Sequence, residues 1–137
     1  EGSLGRELQQ QIDFSELKDK VTLRGRRDNM MEKYTEYSLH IMTSRHEGLP
    51  MTLIEAQACG LPSVAFNFKF GASDIIKDYH NGIIVEQGNI NLFVNAITDM
   101  MNNEKMRMEQ GRKALENSRR FYAENIMPEW QKLIDGL

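Results

Sequence analysis

Residues 44–62 read Ser44-Arg-His-Glu-Gly-Leu-Pro-Met-Thr-Leu-Ile-Glu-Ala-Gln-Ala-Cys-Gly-Leu-Pro62. This order predicts a turn followed by a helix, because Gly48 and Pro50 interrupt regular structure and the run that begins at Met51 ends in a Gly-Leu-Pro stop. Two carboxylates flank the junction: Glu47 lies on the turn and Glu55 on the helix. We expect both to face the cleft at the N-terminus of this helix.

Helical and strand-like segments alternate around this stretch, which is typical of a parallel sheet with helices on both faces. The expected strands are residues 21–24, 38–43, 63–66 and 83–85. The expected helices are residues 4–12, 29–37, 51–59, 74–79, 89–101, 104–121 and 126–137, the last with Pro128 in its first turn. The sequence therefore predicts a Rossmann-like α/β fold.

The turn after residues 38–43 is also the expected ligand site, since open parallel sheets bind ligands beyond the carboxyl ends of their strands. Backbone N–H groups of Gly48 and Leu49 can approach a ligand there, and the following helix directs its positive end toward any phosphate. Carboxylates such as Glu47 and Glu55 only accept hydrogen bonds, which suits the vicinal hydroxyls of a sugar. These groups together favour a phosphorylated sugar compound.

Charge, apolar runs and cysteine content argue against several classes of function. The net charge of −3 and the pI near 5.6 argue against a nucleic-acid-binding surface. The sequence has no long apolar run and no signal-peptide pattern, so we expect a cytoplasmic protein; peripheral association of the full protein with the inner face of the membrane stays open. Cys59 has no second cysteine and no neighbouring base, so a packed thiol is favoured over a reactive or metal-binding one.

Other polar residues have two interpretations. Contact with a diphosphate and a solvated loop stay equally open for Arg24, whereas the solvated loop is favoured for Arg26 and Arg27. For Arg45 and His46 we favour surface side chains over catalytic ones. His40 is expected to be structural and His80 solvated. Methionines 100, 101 and 106 recur at helical spacing and are expected to fill the core.

The order of these motifs resembles the glycosyl transferases group 1 family, also called family 4, whose members are retaining enzymes of GT-B architecture. The elements that carry the resemblance are Leu23-Arg-Gly25, residues 38–44, Glu47-Gly-Leu-Pro50, Glu55-Ala56, Gly60-Leu-Pro62, residues 71–76 and Asn81-Gly-Ile-Ile-Val85. Seven residues separate the two glutamates, as in the family pattern. The resemblance implies that residues 1–137 are one partial C-terminal nucleotide-sugar-binding domain.

The resemblance also implies a role for each matching residue. Glu47 is nominated as the catalytic residue and as the acceptor of hydrogen bonds from hydroxyls of the donor hexose, whereas Glu55 would hold the ribose hydroxyls. Backbone groups would contact the sugar or diphosphate at Gly48 and Leu49, phosphate and ribose at Thr52 and Leu53, and the base at Arg24 and Gly25. The donor would be a UDP-, GDP- or ADP-hexose, with no bound metal.

The chain departs from the family pattern at its start. Glu1-Gly2-Ser3 stands directly before a helix, although a doubly wound domain ordinarily begins with a strand, so we expect a fragment that lacks the first two strands. The family's stabilising Arg and Lys, and the N-terminal domain that binds the glycan or lipid-linked acceptor, would lie upstream. We therefore expect this chain to bind donor but not to catalyse transfer alone.

Two alternatives stay open. The first is a noncatalytic α/β interaction or regulatory domain, against which the pair Glu47 and Glu55 argues. The second is another enzyme of the same architecture, such as a sugar-nucleotide epimerase or a phosphorylase. An epimerase needs acid–base residues near the sugar and a phosphorylase needs a cofactor lysine; the sequence offers neither in a suitable context.

Overall fold

A computed structural model describes residues 2–137, and the chain divides into two compact units, residues 1–30 and 31–137. The described part of the first unit contains helix α1 (Gly5–Phe14). Turns follow it, and the chain then runs to Gly25 without regular structure. Ile12 is the buried apolar residue of α1.

The expected strand at residues 21–24 was wrong. This segment has no strand assignment, and the described sheet contains three other strands. A β-strand is stabilised by hydrogen bonds to a neighbouring strand. The apolar pattern of Val21 and Leu23 therefore does not by itself produce one.

From α2 onward, helices and strands alternate as the sequence predicts. The strands are β1 (His40–Met42), β2 (Ser63–Asn67) and β3 (Gly82–Glu86). The helices are α2 (Met30–Tyr34), α3 (Met51–Ala58), α4 (Ala72–Ile75), α5 (Ile90–Asn102), α6 (Glu104–Ser118) and α7 (Ala123–Asp135). The sheet is parallel, in the order β1-β2-β3, and pairs His40 with Ser63 and Ser63 with Gly82.

Both faces of this sheet are covered, which confirms the predicted fold class. Successive residues of β2 point to opposite faces. Ala65 belongs to a core cluster with residues of α3 and α4, whereas Val64 and Phe66 belong to a second cluster with α5. The ring of Phe66 stacks on that of Phe93 at 4.2 Å between centroids.

Several helix bounds differ from the sequence prediction. Helix α4 begins and ends earlier than expected, and Tyr79 lies in a turn with φ +55°. Pro128 was expected in a first helical turn, but α7 begins at Ala123, so the proline lies in the second turn. Met100 is buried as predicted, whereas Met101 is 67% exposed and does not fill the core.

Helix α3, which carries much of the predicted site, is held by polar and close-packed contacts. Gln57 is fully buried; its amide donates to the Ile75 carbonyl and accepts from Asn117 Nδ2 at 2.8 Å. Just beyond α3, the Gly60 carbonyl lies against Gly111 of α6, and a Cβ at Gly111 would overlap the Gly60 carbonyl oxygen. The position of α3 is therefore fixed from two sides.

The apolar face of α7 is exposed. Its exposed apolar side chains are Ile126, Met127, Trp130, Leu133 and Ile134. None of the helices within residues 2–137 has the length and apolar character that crossing a bilayer requires.

Candidate functional site

The loops that follow the three strands lie at one edge of the sheet, because parallel strands end on the same side. These loops are residues 43–50, 68–71 and 87–89. The first contains the turn predicted to bind a ligand, and it leads directly into α3. The fold thus places this turn at the carboxyl edge, where open α/β sheets bind ligands.

Glu47 is held within this turn by a neighbouring hydroxyl. Ser44 Oγ donates a hydrogen bond to Glu47 Oε1 at 2.7 Å, and both residues are half-buried. Neither Glu47 nor Glu55 forms an ion pair with another residue in the range 2–137. The Glu47 carboxylate is thus oriented on one side and keeps acceptor capacity for a ligand.

The next loop packs directly on this turn. A Cβ at Gly71 would lie 2.5 Å from Pro50 Cδ and 3.3 Å from the Gly48 carbonyl oxygen. Gly71 also has φ +97°, in the left-handed region that disfavours a side chain. Pro50 is fully buried, whereas Gly48 and Leu49 are exposed. The contact therefore supports the base of the turn and leaves its tip accessible.

Helix α3 begins at this turn with free donor capacity. No side chain of residues 2–137 caps its N-terminus, where Pro50 occupies the capping position. The first amides of a helix have no intrahelical partner and carry its partial positive charge. Thr52 is exposed, whereas the Leu53 side chain is fully buried and the Leu53 N–H already donates to the Pro50 carbonyl at 3.0 Å.

Glu55 lies one turn further along α3 and faces Tyr34 and Cys59. Burial raises the pKa of Tyr34, and the nearby charge and hydrogen bonding of Glu55 raise it further. Burial, followed by the charge of Glu55, also raises the pKa of the Cys59 thiol. This thiol donates to the Met31 carbonyl at 3.4 Å. A raised pKa disfavours the reactive thiolate, which supports the packed role expected for Cys59.

His40 has the structural role predicted for it. Its Nδ1 lies 3.1 Å from Ser63 Oγ, and its ring meets Tyr34 edge to face at 5.9 Å. Burial lowers the pKa of His40 to about 4, so the ring is neutral at neutral pH. A neutral imidazole inside the sheet packs and accepts or donates hydrogen bonds without a charge to solvate.

Arg24 and Gly25 lie in the first unit. They line a cavity of about 560 Å³ with residues from α1, among them Leu8 and Gln9. Gly25 has φ +62°, and a side chain there would meet open space. None of the ion pairs within residues 2–137 involves Arg24.

The structure brings part of the predicted site together. Glu47, Gly48 and Leu49 share one turn, and Thr52 and Glu55 share the helix that follows it. The sequence prediction missed Ser44 and Tyr34. The spacing Ser-x-x-Glu is a known pattern for local side-chain hydrogen bonding and could have identified Ser44. Tyr34 had no local signal. Among residues 2–137, no group of three or more His, Cys, Asp or Glu side chains could hold a metal ion.

The sequence model of the family described as glycosyl transferases group 1 matches residues 1–117 of this chain. The poly(ribitol-phosphate) alpha-N-acetylglucosaminyltransferase of Staphylococcus aureus is 33% identical over 99% of the chain, which spans 28% of that relative. The amylovoran biosynthesis glycosyltransferase AmsD of Erwinia amylovora is 32% identical over 94% of the chain, which spans 36% of that relative. The chain thus matches roughly a quarter to a third of each of these two proteins.

Solved structures of two similar proteins have the same fold over most of this chain. S. aureus TarM, crystallised as a variant with fondaparinux, alpha-GlcNAc-glycerol and UDP, has a TM-score of 0.90 and 33% identity over 96% of this chain and 27% of its own. Anabaena HepE in complex with UDP and glucose has a TM-score of 0.88 and 25% identity over 96% of this chain and 36% of its own. The neighbours are GT-B glycosyltransferases, so the GT-B type of fold is confirmed.

Proposed function

Because this chain belongs to the glycosyl transferases group 1 family, we propose that it binds the nucleotide-sugar donor of a retaining glycosyltransferase. The donor is a nucleoside diphosphate hexose, and the full protein transfers the sugar to a glycan or lipid-linked acceptor. UDP is the first nucleotide to test, since two structural neighbours were crystallised with UDP.

The observation that carries this proposal is the position of the Glu47 turn. It lies at the carboxyl edge of a parallel sheet, leads into the uncapped N-terminus of α3 and rests on Gly71. A carboxylate beside free helix amides offers acceptors for hydroxyls and donors for phosphate. A nucleotide sugar presents both kinds of group.

The proposed roles are those that the family resemblance implies, and the chemistry of each group is compatible with them. Glu47 accepts hydrogen bonds from the hexose and is the residue nearest the reaction, and Glu55 holds the ribose. The base contact expected for Arg24 and Gly25 is a separate proposal for the first unit. Gly48 and Leu49 bind the sugar or the diphosphate through backbone groups. Thr52 and Leu53 bind the phosphate and the ribose in the same way. Each hydrogen bond to a charged group contributes about 1.5–3 kcal/mol.

The two glutamates together then contribute roughly 3–6 kcal/mol. That free energy corresponds to dissociation constants from several millimolar to tens of micromolar. Such affinity allows the nucleoside diphosphate product to leave after transfer.

We further propose that residues 1–137 are inactive alone. Departure of a nucleoside diphosphate needs cationic or dipolar stabilisation of the developing charge. The family's Arg and Lys for this task match no residue of this chain. A transferase assay with the 137-residue chain tests this point: turnover in the range of ordinary enzymes would contradict it.

Ligand-observed NMR with UDP, GDP and ADP, free and as their hexose conjugates, tests the donor site. We expect binding of one nucleoside diphosphate, which Glu55→Gln weakens and Glu47→Gln leaves unchanged. Glu47→Gln should weaken only the sugar conjugate. Equal loss of nucleoside diphosphate affinity in both variants would contradict the two roles. No response to any of the three by the folded chain would favour the noncatalytic interaction domain.

A further inference from the structure

The phenol of Tyr34 lies where α2 packs against α3. Tyr34 is only 6% exposed and forms a core cluster with Ala56 and Leu61, against which Cys59 also packs. Ala56 follows Glu55 directly in α3, and Cys59, at the C-cap of this helix, lies one turn beyond it. The ring of Tyr34 is therefore fixed beside the part of the helix that carries this glutamate.

The tyrosine ring is also held from the sheet. The His40 ring meets it edge to face, with 5.9 Å between centroids and an interplanar angle of 86°. His40 Nδ1 lies 3.1 Å from the hydroxyl of Ser63, which is fully buried in β2. A chain of contacts thus runs from the centre of the sheet through His40 to Tyr34.

Cys59, which packs against the Tyr34 cluster, lies four residues after Glu55 and therefore on the same side of the helix, so the Tyr34 phenol is within reach of the Glu55 carboxylate. After burial, the largest causes of the raised pKa of Tyr34 are the charge of Glu55 and hydrogen bonding with it. The charge of Glu55 likewise raises the pKa of Cys59. The phenol is therefore protonated at neutral pH and can donate its hydrogen to the carboxylate.

We propose that Tyr34 is a positioning residue for Glu55: its hydroxyl donates to one carboxylate oxygen and orients the other toward the ribose hydroxyls of the donor nucleotide. This inference rests on the ribose-binding role proposed for Glu55. A carboxylate held by one donor loses less rotational freedom when a ligand binds, which strengthens binding without a new ligand contact.

The variant Tyr34→Phe tests this role, because it removes the hydroxyl and keeps the packed ring. The probes are UDP and 2′,3′-dideoxy-UDP, which lacks the hydroxyls that Glu55 would hold. We expect the wild-type chain to prefer UDP, and Tyr34→Phe to reduce this preference at least about threefold. Affinity for the dideoxy compound and the midpoint of thermal unfolding should stay unchanged. Tyr37→Phe, at a half-exposed position, is the matched control and should keep the full preference.

Two outcomes would overturn the inference. One is an unchanged preference in Tyr34→Phe; the other is an equal loss of affinity for both nucleotides, which indicates a purely structural role. If the wild-type chain does not discriminate between the probes, the role proposed for Glu55 fails instead.

The contact itself can be measured without a ligand. Carbon-13 NMR of labelled tyrosine, assigned with Tyr34→Phe, follows the ionisation of the Tyr34 phenol. Besides Glu55, the titratable groups beside the phenol are Cys59 at the C-cap of α3 and His40 on β1. We expect Glu55→Gln to lower the raised pKa of Tyr34 toward its ordinary value, and Cys59→Ser to change it less. A pKa that Glu55→Gln leaves unchanged would show that the two side chains do not interact and would overturn the inference.

Discussion

The hydroxyl of Ser44 donates a 2.7 Å hydrogen bond to the carboxylate of Glu47, at the point where β1 gives way to the turn before α3. The bond joins two half-buried side chains that are three residues apart. It restrains the carboxylate that is proposed to bind the donor sugar. The orientation of Glu47 is therefore determined within its own loop.

Replacing Ser44 with alanine should weaken binding of the sugar part of the donor. A hydrogen bond to a charged group contributes about 1.5–3 kcal/mol when fully formed, and partial exposure reduces this value. We expect about fivefold to tenfold weaker binding of a UDP-hexose, equivalent to roughly 1–1.4 kcal/mol, with unchanged affinity for UDP. Isothermal titration calorimetry measures the affinity for the UDP-hexose and the affinity for UDP. The exposed Ser38→Ala is the control; equal effects of the two substitutions, or equal losses for UDP and UDP-hexose, would contradict the assigned contact.

Gly71→Ala should displace the loop that supports the Glu47 turn. The added Cβ would lie 2.5 Å from Pro50 Cδ, in a residue with φ +97°. Gly88→Ala provides a matched control, because its φ is +82° but a side chain there meets nothing within 4 Å. Backbone strain costs both variants about 1 kcal/mol or more. We expect Gly71→Ala to lose roughly 1–3 kcal/mol more, as overpacking does.

Urea denaturation measures these losses, and calorimetry with a UDP-hexose shows whether the displaced turn also binds donor more weakly. Equal stability of the two glycine variants would mean that the contact between Gly71 and Pro50 is easily relieved.

Gly111→Ala should destabilise the chain although it lies within a helix. Alanine is favoured over glycine in a helix by about 1 kcal/mol. Here the added Cβ would overlap the Gly60 carbonyl oxygen and lie 3.3 Å from Pro62 Cδ, so α6 must move away from the end of α3. We expect a net loss of roughly 1–3 kcal/mol in the free energy of unfolding. Gly5→Ala in α1, where a side chain meets open space, should instead be neutral or stabilising. A stabilised Gly111→Ala would contradict the close packing.

The sequence predicted those parts of the molecule that depend on local pattern. The strand at residues 63–66 was correct because its apolar run is buried on both faces of the sheet, which any parallel arrangement requires. Residues 21–24 have a similar pattern and form no strand, because pairing with a neighbour decides that outcome. The apolar pattern within one segment does not show whether another strand is available to pair with it.

The site shows the same limit. The turn at Glu47 could be predicted, because Gly48 and Pro50 specify it within a few residues. Tyr34 could not be linked to Glu55, since the two are distant in sequence and meet only when α2 packs on α3. The proposed role of Glu55 came from a family resemblance. Such a resemblance implies which residues contact the ligand, but it does not identify the side chains that position those residues.

The last prediction concerns pH. Folding lowers the pKa of His40 from 6.5 to about 4 because burial disfavours the charged imidazolium. Between these values the unfolded chain binds more protons than the folded chain, so the contribution of His40 to stability is present above pH 6.5 and is lost as the pH falls toward 4. The full shift corresponds to at most about 3 kcal/mol.

Urea denaturation across this pH range measures the effect. Other groups also titrate there, so the comparison with variants is decisive. The variant His40→Gln keeps a hydrogen-bonding side chain beside Ser63 and cannot be protonated, so its stability should fall less steeply with acid than that of the wild type. His80→Gln, at an exposed position, should keep the wild-type slope. If His40→Gln keeps that slope as well, the imidazole is protonated in the folded chain without penalty, and His40 is not the buried neutral contact that holds Tyr34.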